Sequence, residues 1–248
     1  MITLKSKEEI ELMRTSNRLV AKLLEKLRKL VTPGITTGEL DAIAEDFIRK
    51  NGAEPTFKGY VEYPACICAS VNNEVVHAIP GKRALKNGDI ISIDAGLRIN
   101  GYCGDATITV PVGSISREAA RLIKVTAKAL EIGIAQAVPG NRIGDISHAI
   151  QFFVEGQGYS IVRDFVGHGI GRQMHEDPQV PHFGQPGTGP MLQEGMVIAI
   201  EPMVNVGGYK LKILDDGWTA VTVDGSWSAQ FEHSVAITAK GPDILSRL

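Results

Sequence analysis

Four short runs of mostly apolar residues stand out along the chain, and each has the length of a β-strand. They occupy positions 90–93, 106–110, 196–200 and 234–238. Each pair of runs follows a longer region that we interpret as two helices separated by a Pro-Gly break, at 33–34 and at 139–140. The pattern therefore predicts an α+β protein with two similar halves.

The two helical regions are also similar in sequence, which indicates an internal repeat with an offset of 106 residues. Thr36 and Glu39 predict a capping box on the second helix of the first copy, and the second copy lacks it. Because no Ser/Gly-rich linker separates the halves, we expect one domain over residues 1–248, with pseudo-twofold duplicated helices covering a curved, mainly antiparallel sheet. The repeated residues include Ala21 and Ala127, Lys22 and Lys128, Leu24 and Leu130, Glu25 and Glu131, Phe47 and Phe153, and Gly52 and Gly158.

Composition and charge exclude several classes of function. The 248 residues include 26 basic and 28 acidic side chains, a net charge of -2, so no overall field would attract DNA or an anionic membrane. The apolar runs are too short to span a bilayer and no signal peptide is evident, so we expect a cytoplasmic protein. Cys66, Cys68 and Cys103 form no C-x-x-C pair and are expected to be buried free thiols, which suits a reducing compartment.

Asp94 ends the first apolar run, where a buried carboxylate requires a partner or a bound cation. A type I′ turn at 100–101 would place Asp94 opposite Thr107, and it would place Asp105 opposite Gly96. The two aspartates then lie diagonally on one face of a hairpin, roughly 7 to 8 Å apart at the backbone. Like charges so placed repel, which favours a divalent metal between them over two solvated acids beside a turn.

Two glutamates lie in similar apolar surroundings. Glu201 follows the run 196–200 directly, and Glu232 precedes the run 234–238, in what we interpret as the last strand. Carboxylates in such positions are unfavourable unless they are paired or bound to a cation. Both glutamates are therefore candidate metal ligands.

His168 lies among glycines at 167–171, which would leave its imidazole accessible. An isolated histidine is more often an ordinary polar residue, so its candidacy depends on the four carboxylates. Four carboxylates and one imidazole favour Mn, Fe(II), Co or Zn. Two divalent ions that share bridging carboxylates would activate a water molecule at neutral pH. The candidate ligands are Asp94, Asp105, His168, Glu201 and Glu232.

These five residues resemble, in order and spacing, the ligand set of the pita-bread metallopeptidases, a family that includes methionine aminopeptidases and proline-specific peptidases. The surrounding residues resemble the bacterial type I methionine aminopeptidases over nearly the whole chain, including Gly104 before Asp105, the glycines around His168 and Pro202 after Glu201. The resemblance implies a pita-bread fold and hydrolysis of the N-terminal methionine of nascent proteins, preferably before a small second residue.

The resemblance also implies a role for each ligand. Asp94 would bind one metal ion, and His168 and Glu201 would bind the other. Asp105 and Glu232 would bridge the two ions, and Glu201 would also act as the proton shuttle.

Two further histidines match catalytic and substrate-binding positions of the family. His175 would stabilise the developing oxyanion and His77 would contact the scissile amide; without the family, both would be interpreted as polar loop residues. The chain departs from the family at Phe57, where cysteine is common, and at Met174, where an aromatic residue is usual. By resemblance, the methionine pocket is lined by Phe57, Tyr60, Tyr63, Cys68, Met174 and Trp218.

Three alternatives remain open. Proline-specific peptidases usually carry an N-terminal domain, for which the short region before Asp94 leaves little room, and type II methionine aminopeptidases carry an insertion that is absent between His175 and Glu201. A relative that has lost its metal would bind peptides or histones.

By analogy, we expect a monomer that acts on nascent polypeptide N-termini. A transient ribosome contact through a first helix at 5–29 competes with a simple solvated face, because acids alternate with its basic residues.

Overall fold

The computed structural model describes residues 1–248 and contains four α-helices and fifteen short strands. The helices are α1 (Lys7–Leu30), α2 (Thr37–Lys50), α3 (Arg117–Ala135) and α4 (Ile143–Gly156). The strands are β1 (Glu54–Pro55), β2 (Ile67–Val71), β3 (Glu74–Val76), β4 (Ile90–Ile99), β5 (Tyr102–Pro111), β6 (Ser160–Ile161), β7 (Gly167–Gly169), β8 (Glu176–Val180), β9 (Val197–Ile200), β10 (Met203–Asn205), β11 (Leu211–Ile213), β12 (Ala220–Thr222), β13 (Ser228–Gln230), β14 (His233–Thr238) and β15 (Gly241–Ile244).

Each half contains a helix pair followed by antiparallel strands, which confirms the predicted α+β class. The ladder hydrogen bonds divide the expected sheet into four, with four, three, three and five strands. The five-stranded sheet has the order β15-β14-β9-β7-β8. No helix is long and apolar enough to cross a membrane.

The helix starts follow the capping rules, with one correction. Thr36 and Glu39 form the predicted box, in which the Thr36 N–H donates to Glu39 Oε2 at 2.8 Å and the Glu39 N–H donates to Thr36 Oγ1 at 3.2 Å. The expectation that the second copy lacks a box is wrong in part, because Asp145 accepts the N–H of Arg142 at 2.7 Å. Helix α1 begins after Ser6 rather than at position 5.

The first hairpin, β4–β5, has the register that the sequence predicts. Asn100 and Gly101 both have positive φ, 55° and 80°, as a type I′ turn requires. Asp94 lies opposite Thr107, and Gly96 lies opposite Asp105.

A second pair of long strands is interrupted where its two glutamates lie. His233 pairs with Ile200 on one side of the break, and Met203 pairs with Gln230 on the other. Pro202 lies in the break and has no N–H for a ladder hydrogen bond. Glu201 and Glu232 lie at this break, so the prediction that Glu232 belongs to the last strand is wrong; the last strand is β15.

The two hairpins meet along β5. The N–H of Glu232 donates to the carbonyl oxygen of Thr107 at 3.0 Å, and the hydroxyl of Ser234 donates to the carbonyl oxygen of Asp105 at 2.9 Å. These bonds bring the carboxylates of the two halves to a common site.

Four apolar clusters lie around the site, and the smallest includes Met203. The first half has a core around Leu23 and Ile91, and the second has a core around Ile146 and Ile198. A third cluster of 13 residues lies where the halves meet and includes Met174. The three cysteines are buried and free, as expected.

Candidate metal centre

All five predicted ligands line one cavity of about 180 Å³. Asp94 and Asp105 lie on the first hairpin, Glu201 and Glu232 lie at the interruption of the second, and His168 lies in β7. One ligand atom each from Asp105, His168 and Glu232 lie within 4.8 Å of one another, close enough to hold one metal ion.

His168 connects the carboxylates of the two halves. Its Nε2 lies 3.7 Å from Asp105 Oδ2 and 3.6 Å from Glu201 Oε1, and its Nδ1 lies 2.9 Å from the carbonyl oxygen of Gly169. The carbonyl favours a proton on Nδ1, which leaves the Nε2 lone pair for a metal. Only 9% of His168 is exposed, so the ring is largely shielded from bulk solvent, but its side chain lines the cavity. Burial, together with His175, lowers its pKa to about 4, so the ring is neutral.

No cationic side chain in the cavity lining neutralises the negative charge of its carboxylates. Three carboxylate oxygens are buried and have no hydrogen-bond partner: Oδ1 of Asp94, Oδ1 of Asp105 and Oε1 of Glu232. The cavity lining includes no lysine or arginine. Buried carboxylates without a counter-charge are costly, so the set fits divalent cations.

Burial raises the pKa of each carboxyl group in the cavity. The pKa of Asp94 rises to about 7, although the neighbouring Thr107 hydroxyl partly opposes the shift. The pKa values of Asp105, Glu201 and Glu232 rise well above their usual range through burial first and the neighbouring carboxylates second. Bound cations would remove this penalty by stabilising the ionised forms.

Several supporting residues were not predicted as functional. The Thr107 hydroxyl donates to Glu232 Oε2 at 2.8 Å, and Gln230 Nε2 donates to Glu201 Oε2 at 3.2 Å. The N–H of Glu201 donates to Nε2 of the buried His182 at 3.1 Å. In the sequence, Thr107 and Gln230 are simply close neighbours of the ligands. Only the predicted position of Thr107 opposite Asp94 could have indicated its supporting role.

The predicted methionine-pocket residues line the same cavity. Tyr63 and Trp218 contact edge to face, with ring centroids 5.0 Å apart. Phe57 and Met174 pack over Gly96, where an added Cβ would lie 2.8 Å from Phe57 Cε1 and 2.5 Å from Met174 Cε. Cys68 and Tyr60 complete the predicted set, and the lining residues that the sequence did not indicate are Phe165, Val166 and Met203.

The two predicted substrate-contacting histidines also line the cavity. His175 is exposed, with Nδ1 3.0 Å from the Tyr60 hydroxyl and its ring centroid 4.4 Å from that of His168. His77 has φ 59° and packs edge-on against Phe165 at 5.0 Å. Burial lowers the pKa of His77 to about 4 and also lowers that of His175, so neutral rings that can donate a hydrogen bond are favoured.

The family model for metallopeptidase family M24 matches residues 11–239. The chain belongs to metallopeptidase family M24. This M24 metallopeptidase is similar over 99% of both chains to a methionine aminopeptidase of Clostridium perfringens, with 56% identity. It is 54% identical, over the full length of both chains, to methionine aminopeptidase 1 of Bacillus subtilis.

Solved structures confirm the predicted pita-bread fold of this M24 metallopeptidase. A methionine aminopeptidase from Thermotoga maritima superposes with a TM-score of 0.98 at 45% identity, and each chain covers the other fully. A prolidase from Pyrococcus furiosus superposes with a TM-score of 0.81 at 24% identity, and the match spans 65% of that chain. The second likeness shows the fold alone.

Together, the site of the M24 metallopeptidase has residues that could hold a metal ion beside an aromatic and sulfur-containing pocket. The same cavity contains proton-accepting carboxylates and neutral imidazoles. Such a combination suits hydrolysis of an amide bond next to a bound side chain.

Proposed function

We propose that the protein is a methionine aminopeptidase that removes the N-terminal methionine of polypeptides, preferably before a small second residue. The observation that supports this proposal is the shared cavity, where a cation-binding set of carboxylates adjoins a pocket with a thioether, a thiol and aromatic rings. The chain is also 54% to 56% identical to curated methionine aminopeptidases over nearly its full length.

The proposal assigns the metal centre to Asp94, Asp105, His168, Glu201 and Glu232. Two divalent ions, each Mn, Fe(II), Co or Zn, fit four carboxylates and one imidazole, and the unpartnered oxygens of Asp94, Asp105 and Glu232 support this assignment. Asp94 would hold one ion, His168 and Glu201 the other, and Asp105 and Glu232 both. When bound, the ions supply Lewis acidity that lowers the pKa of water and polarises the scissile carbonyl.

Glu201 is proposed as the proton shuttle. Its carboxylate lines the cavity beside the other ligands, where it would accept a proton from the attacking water and then donate one to the leaving amine. Gln230 donates to its Oε2 and His182 accepts its backbone N–H, so one hydrogen bond holds the carboxylate and another holds the backbone. Its other oxygen, Oε1, is directed towards His168.

His175 and His77 are proposed to act on the substrate amide. The Tyr60 hydroxyl contacts Nδ1 of His175, which leaves Nε2 to donate to the oxyanion as it develops. His77 is held by the edges of two aromatic rings, Phe165 and Trp218, and would contact the scissile amide region.

The cavity beside these groups is proposed to bind the methionine side chain. Tyr63 and Trp218 would form one wall, and Phe57, Met174 and Cys68 would form the base, with Tyr60 at the exposed edge. Sulfur and aromatic groups make favourable contacts with an unbranched thioether. Phe57 and Met174 are both large, which suits a narrow unbranched side chain.

We also propose a cytoplasmic monomer whose partners are nascent polypeptide N-termini, with neither DNA nor membrane as a partner. For α1, a solvated face is favoured over a transient ribosomal contact. Its basic residues pair with acids of the same helix, such as Arg28 with Glu25 at 2.7 Å and Arg14 with Glu11 at 3.1 Å.

The decisive experiment strips the purified protein of metal, reloads it with Mn or Co, and measures free methionine released from Met-Gly-Met-Met beside an Ala-Pro-containing peptide. We expect metal-dependent methionine release, abolished in Asp94→Asn and retained in the matched control Asp46→Asn, whose aspartate is exposed and paired with Lys50. Cleavage of the proline peptide alone would favour a proline-specific peptidase. Absence of both metal binding and cleavage would favour a peptide-binding module.

A further inference from the structure

The residues before α1 lie against the loop that carries Met174 and His175. We define residues 1–6 as the N-terminal arm and residues 171–177, whose last two residues begin β8, as the His175 loop. The N–H of Lys5 donates to the carbonyl oxygen of Gly195 at 2.7 Å, which fixes the arm to the second half of the fold. Lys5 Nζ then reaches Glu176 Oε2 at 2.7 Å, and the Met1 amino group contacts Asp177. The arm therefore contacts the residue immediately after His175.

The ion pair between Lys5 and Glu176 is buried. The two side chains are only 4% and 15% exposed. Buried ion pairs contribute little net stability, because desolvation of both charges offsets their attraction, but removal of one partner is disruptive. The main effect of the pair is therefore to fix the position of Glu176 relative to the arm, rather than to stabilise the fold.

The His175 loop is folded closely around this pair. A Cβ on Gly171 would lie 2.6 Å from Glu176 Oε1 and 2.7 Å from Lys5 Cε, so the loop backbone passes directly over both side chains. Glu176 Oε1 also accepts the N–H of Gln173 at 3.1 Å. One oxygen of the Glu176 carboxylate therefore binds the backbone of Gln173 within the loop, while the other binds Lys5 of the arm.

The His175 ring packs against the rings of His168 and Tyr60, with centroids 4.4 Å and 5.1 Å away. The His175 side chain makes one hydrogen bond, between Nδ1 and the hydroxyl of Tyr60, whose side chain is itself exposed. The segment that carries Tyr60 has positive φ at Val61 and at Glu62, 45° and 66°, so it is not a regular support. The backbone that carries His175 is held by the pairing of Gly169 with Glu176 and by the N–H of Cys103 on the Gly171 carbonyl oxygen at 2.8 Å. The Glu176 side chain adds a third anchor within this segment.

We propose that Lys5 is a positioning residue for the reaction, because its buried ion pair with Glu176 holds the His175 loop and so aims His175 at the substrate. This inference rests on the proposed function. A group one ångström out of place loses roughly two orders of magnitude in rate, so a distant anchor of a catalytic side chain affects catalysis.

The first test compares Lys5→Met with Lys5→Met/Glu176→Gln in the metal-loaded enzyme acting on Met-Gly-Met-Met. The single variant leaves a buried carboxylate without its partner and is expected to lower Tm. The double variant removes that charge, keeps an acceptor for the Gln173 N–H and is expected to recover Tm. Both variants should lower kcat roughly tenfold or more while KM changes little, because His175 acts in the transition state.

The matched control is Arg14→Met. Arg14 connects α1 to the β15 residue Asp243 through a partly buried pair at 2.7 Å, and neither residue lines the cavity. This control should lower Tm while kcat stays at the wild-type value. A loss of kcat in the control equal to that of Lys5→Met would mean that stability alone explains the effect, and the proposal would fail.

A double-mutant cycle shows whether Lys5 acts through His175. In a His175→Ala background, Lys5→Met should lower kcat no further, and hydrogen exchange of residues 171–177 should be faster in Lys5→Met than in the wild type. Additive kcat losses, or wild-type kcat and unchanged exchange in Lys5→Met, would overturn the proposal. If the metal-loaded wild type releases no methionine, the proposed function fails instead, and the exchange measurement still tests the anchor.

Discussion

Thr107 and Glu232 form a reciprocal pair of hydrogen bonds across the two halves of the molecule. The Thr107 hydroxyl donates to Glu232 Oε2 at 2.8 Å, and the Glu232 N–H donates to the Thr107 carbonyl oxygen at 3.0 Å. One glutamate oxygen is thereby fixed, while Oε1 is left without a protein partner. Because Thr107 also lies opposite Asp94, this pair couples the geometry of both hairpins at the metal centre.

Thr107→Val should weaken metal binding. The change removes the donor to Glu232 but keeps the shape of the buried side chain, and loss of a supporting hydrogen bond to a ligand typically costs roughly 10- to 100-fold in metal affinity. Thr107→Ser keeps the hydroxyl and serves as the matched control. Calorimetric titration of the metal-free protein with Mn checks the prediction, and equal affinity in Thr107→Val and wild type would contradict it.

Metal affinity should increase as the pH rises towards 7. The ordinary pKa of an aspartate is 3.8, and burial raises that of Asp94 to about 7 in the metal-free protein. A raised pKa stabilises the metal-free fold at low pH, fully below 3.8, and this stabilisation is lost as the pH rises through about 7. A metal requires the carboxylate, so binding below that pH must release a proton. His168, with a pKa of about 4, is already neutral near pH 7 and contributes no such proton.

Titrations in two buffers of different ionisation enthalpy measure this proton release. Proton release below pH 7, together with an affinity that rises with pH, is the expected result. Asp105, Glu201 and Glu232 also have raised pKa values, so they contribute to the released protons. An affinity that does not change over this range would show that these carboxyl groups, Asp94 included, are not protonated in the metal-free site or do not bind the metal.

Gly96→Ala should impair the methionine pocket. An added Cβ would lie nearest to Thr56 Oγ1, and it would also meet Met174 Cε at 2.5 Å and Phe57 Cε1 at 2.8 Å, so these side chains must shift. Overpacking of this kind costs about 1–3 kcal/mol. We expect KM for Met-Gly-Met-Met to rise more than kcat falls.

The matched control for this pocket variant is Gly81→Ala, since no atom lies within 4 Å of the added Cβ there. Steady-state kinetics of the two variants separates pocket damage from a general effect of replacing glycine. A Gly96→Ala enzyme with wild-type KM would exclude Phe57 and Met174 from the pocket base.

The sequence predicts the first hairpin almost completely, because its register depends on local features. Asn100 and Gly101 favour one turn type, and that turn places Asp94 opposite Thr107, as the structure has it. Alternation along the strands then places Asp105 on the same face. The fold class follows in the same way from the repeated helix pairs and the strand runs.

The remaining parts of the site depend on contacts between segments that are far apart in the chain, and no local sequence pattern predicts such contacts. His182 supports Glu201 across 19 positions, Met203 reaches the cavity from β10, and Phe165 reaches it from the loop before β7. Lys5 was assigned to the first helix, but Ser6 caps α1 and leaves Lys5 outside it, where it can pair with Glu176. A lysine near a chain start is usually solvated, so only the tertiary structure indicates its burial.

The prediction of one domain over residues 1–248 requires both halves to unfold together. The contacts along β5 favour this behaviour, because Thr109 Oγ1 donates to the carbonyl oxygen of Gln230 at 2.6 Å and accepts its N–H at 3.0 Å between the halves. Both tryptophans, Trp218 and Trp227, lie in the second half, whereas the helices are divided between the halves. Tryptophan fluorescence and far-ultraviolet circular dichroism should therefore give one coincident urea transition in the metal-free protein.

Thr109→Val tests whether these contacts couple the halves. The variant leaves buried backbone groups of Gln230 without partners, which costs about 1–3 kcal/mol, so both transitions should move to lower urea concentration by the same amount. Fluorescence and dichroism midpoints that separate in the wild type would contradict a single domain. Midpoints that coincide in the wild type and separate only in Thr109→Val would mean that two otherwise independent halves are held together at this hydrogen-bonded contact.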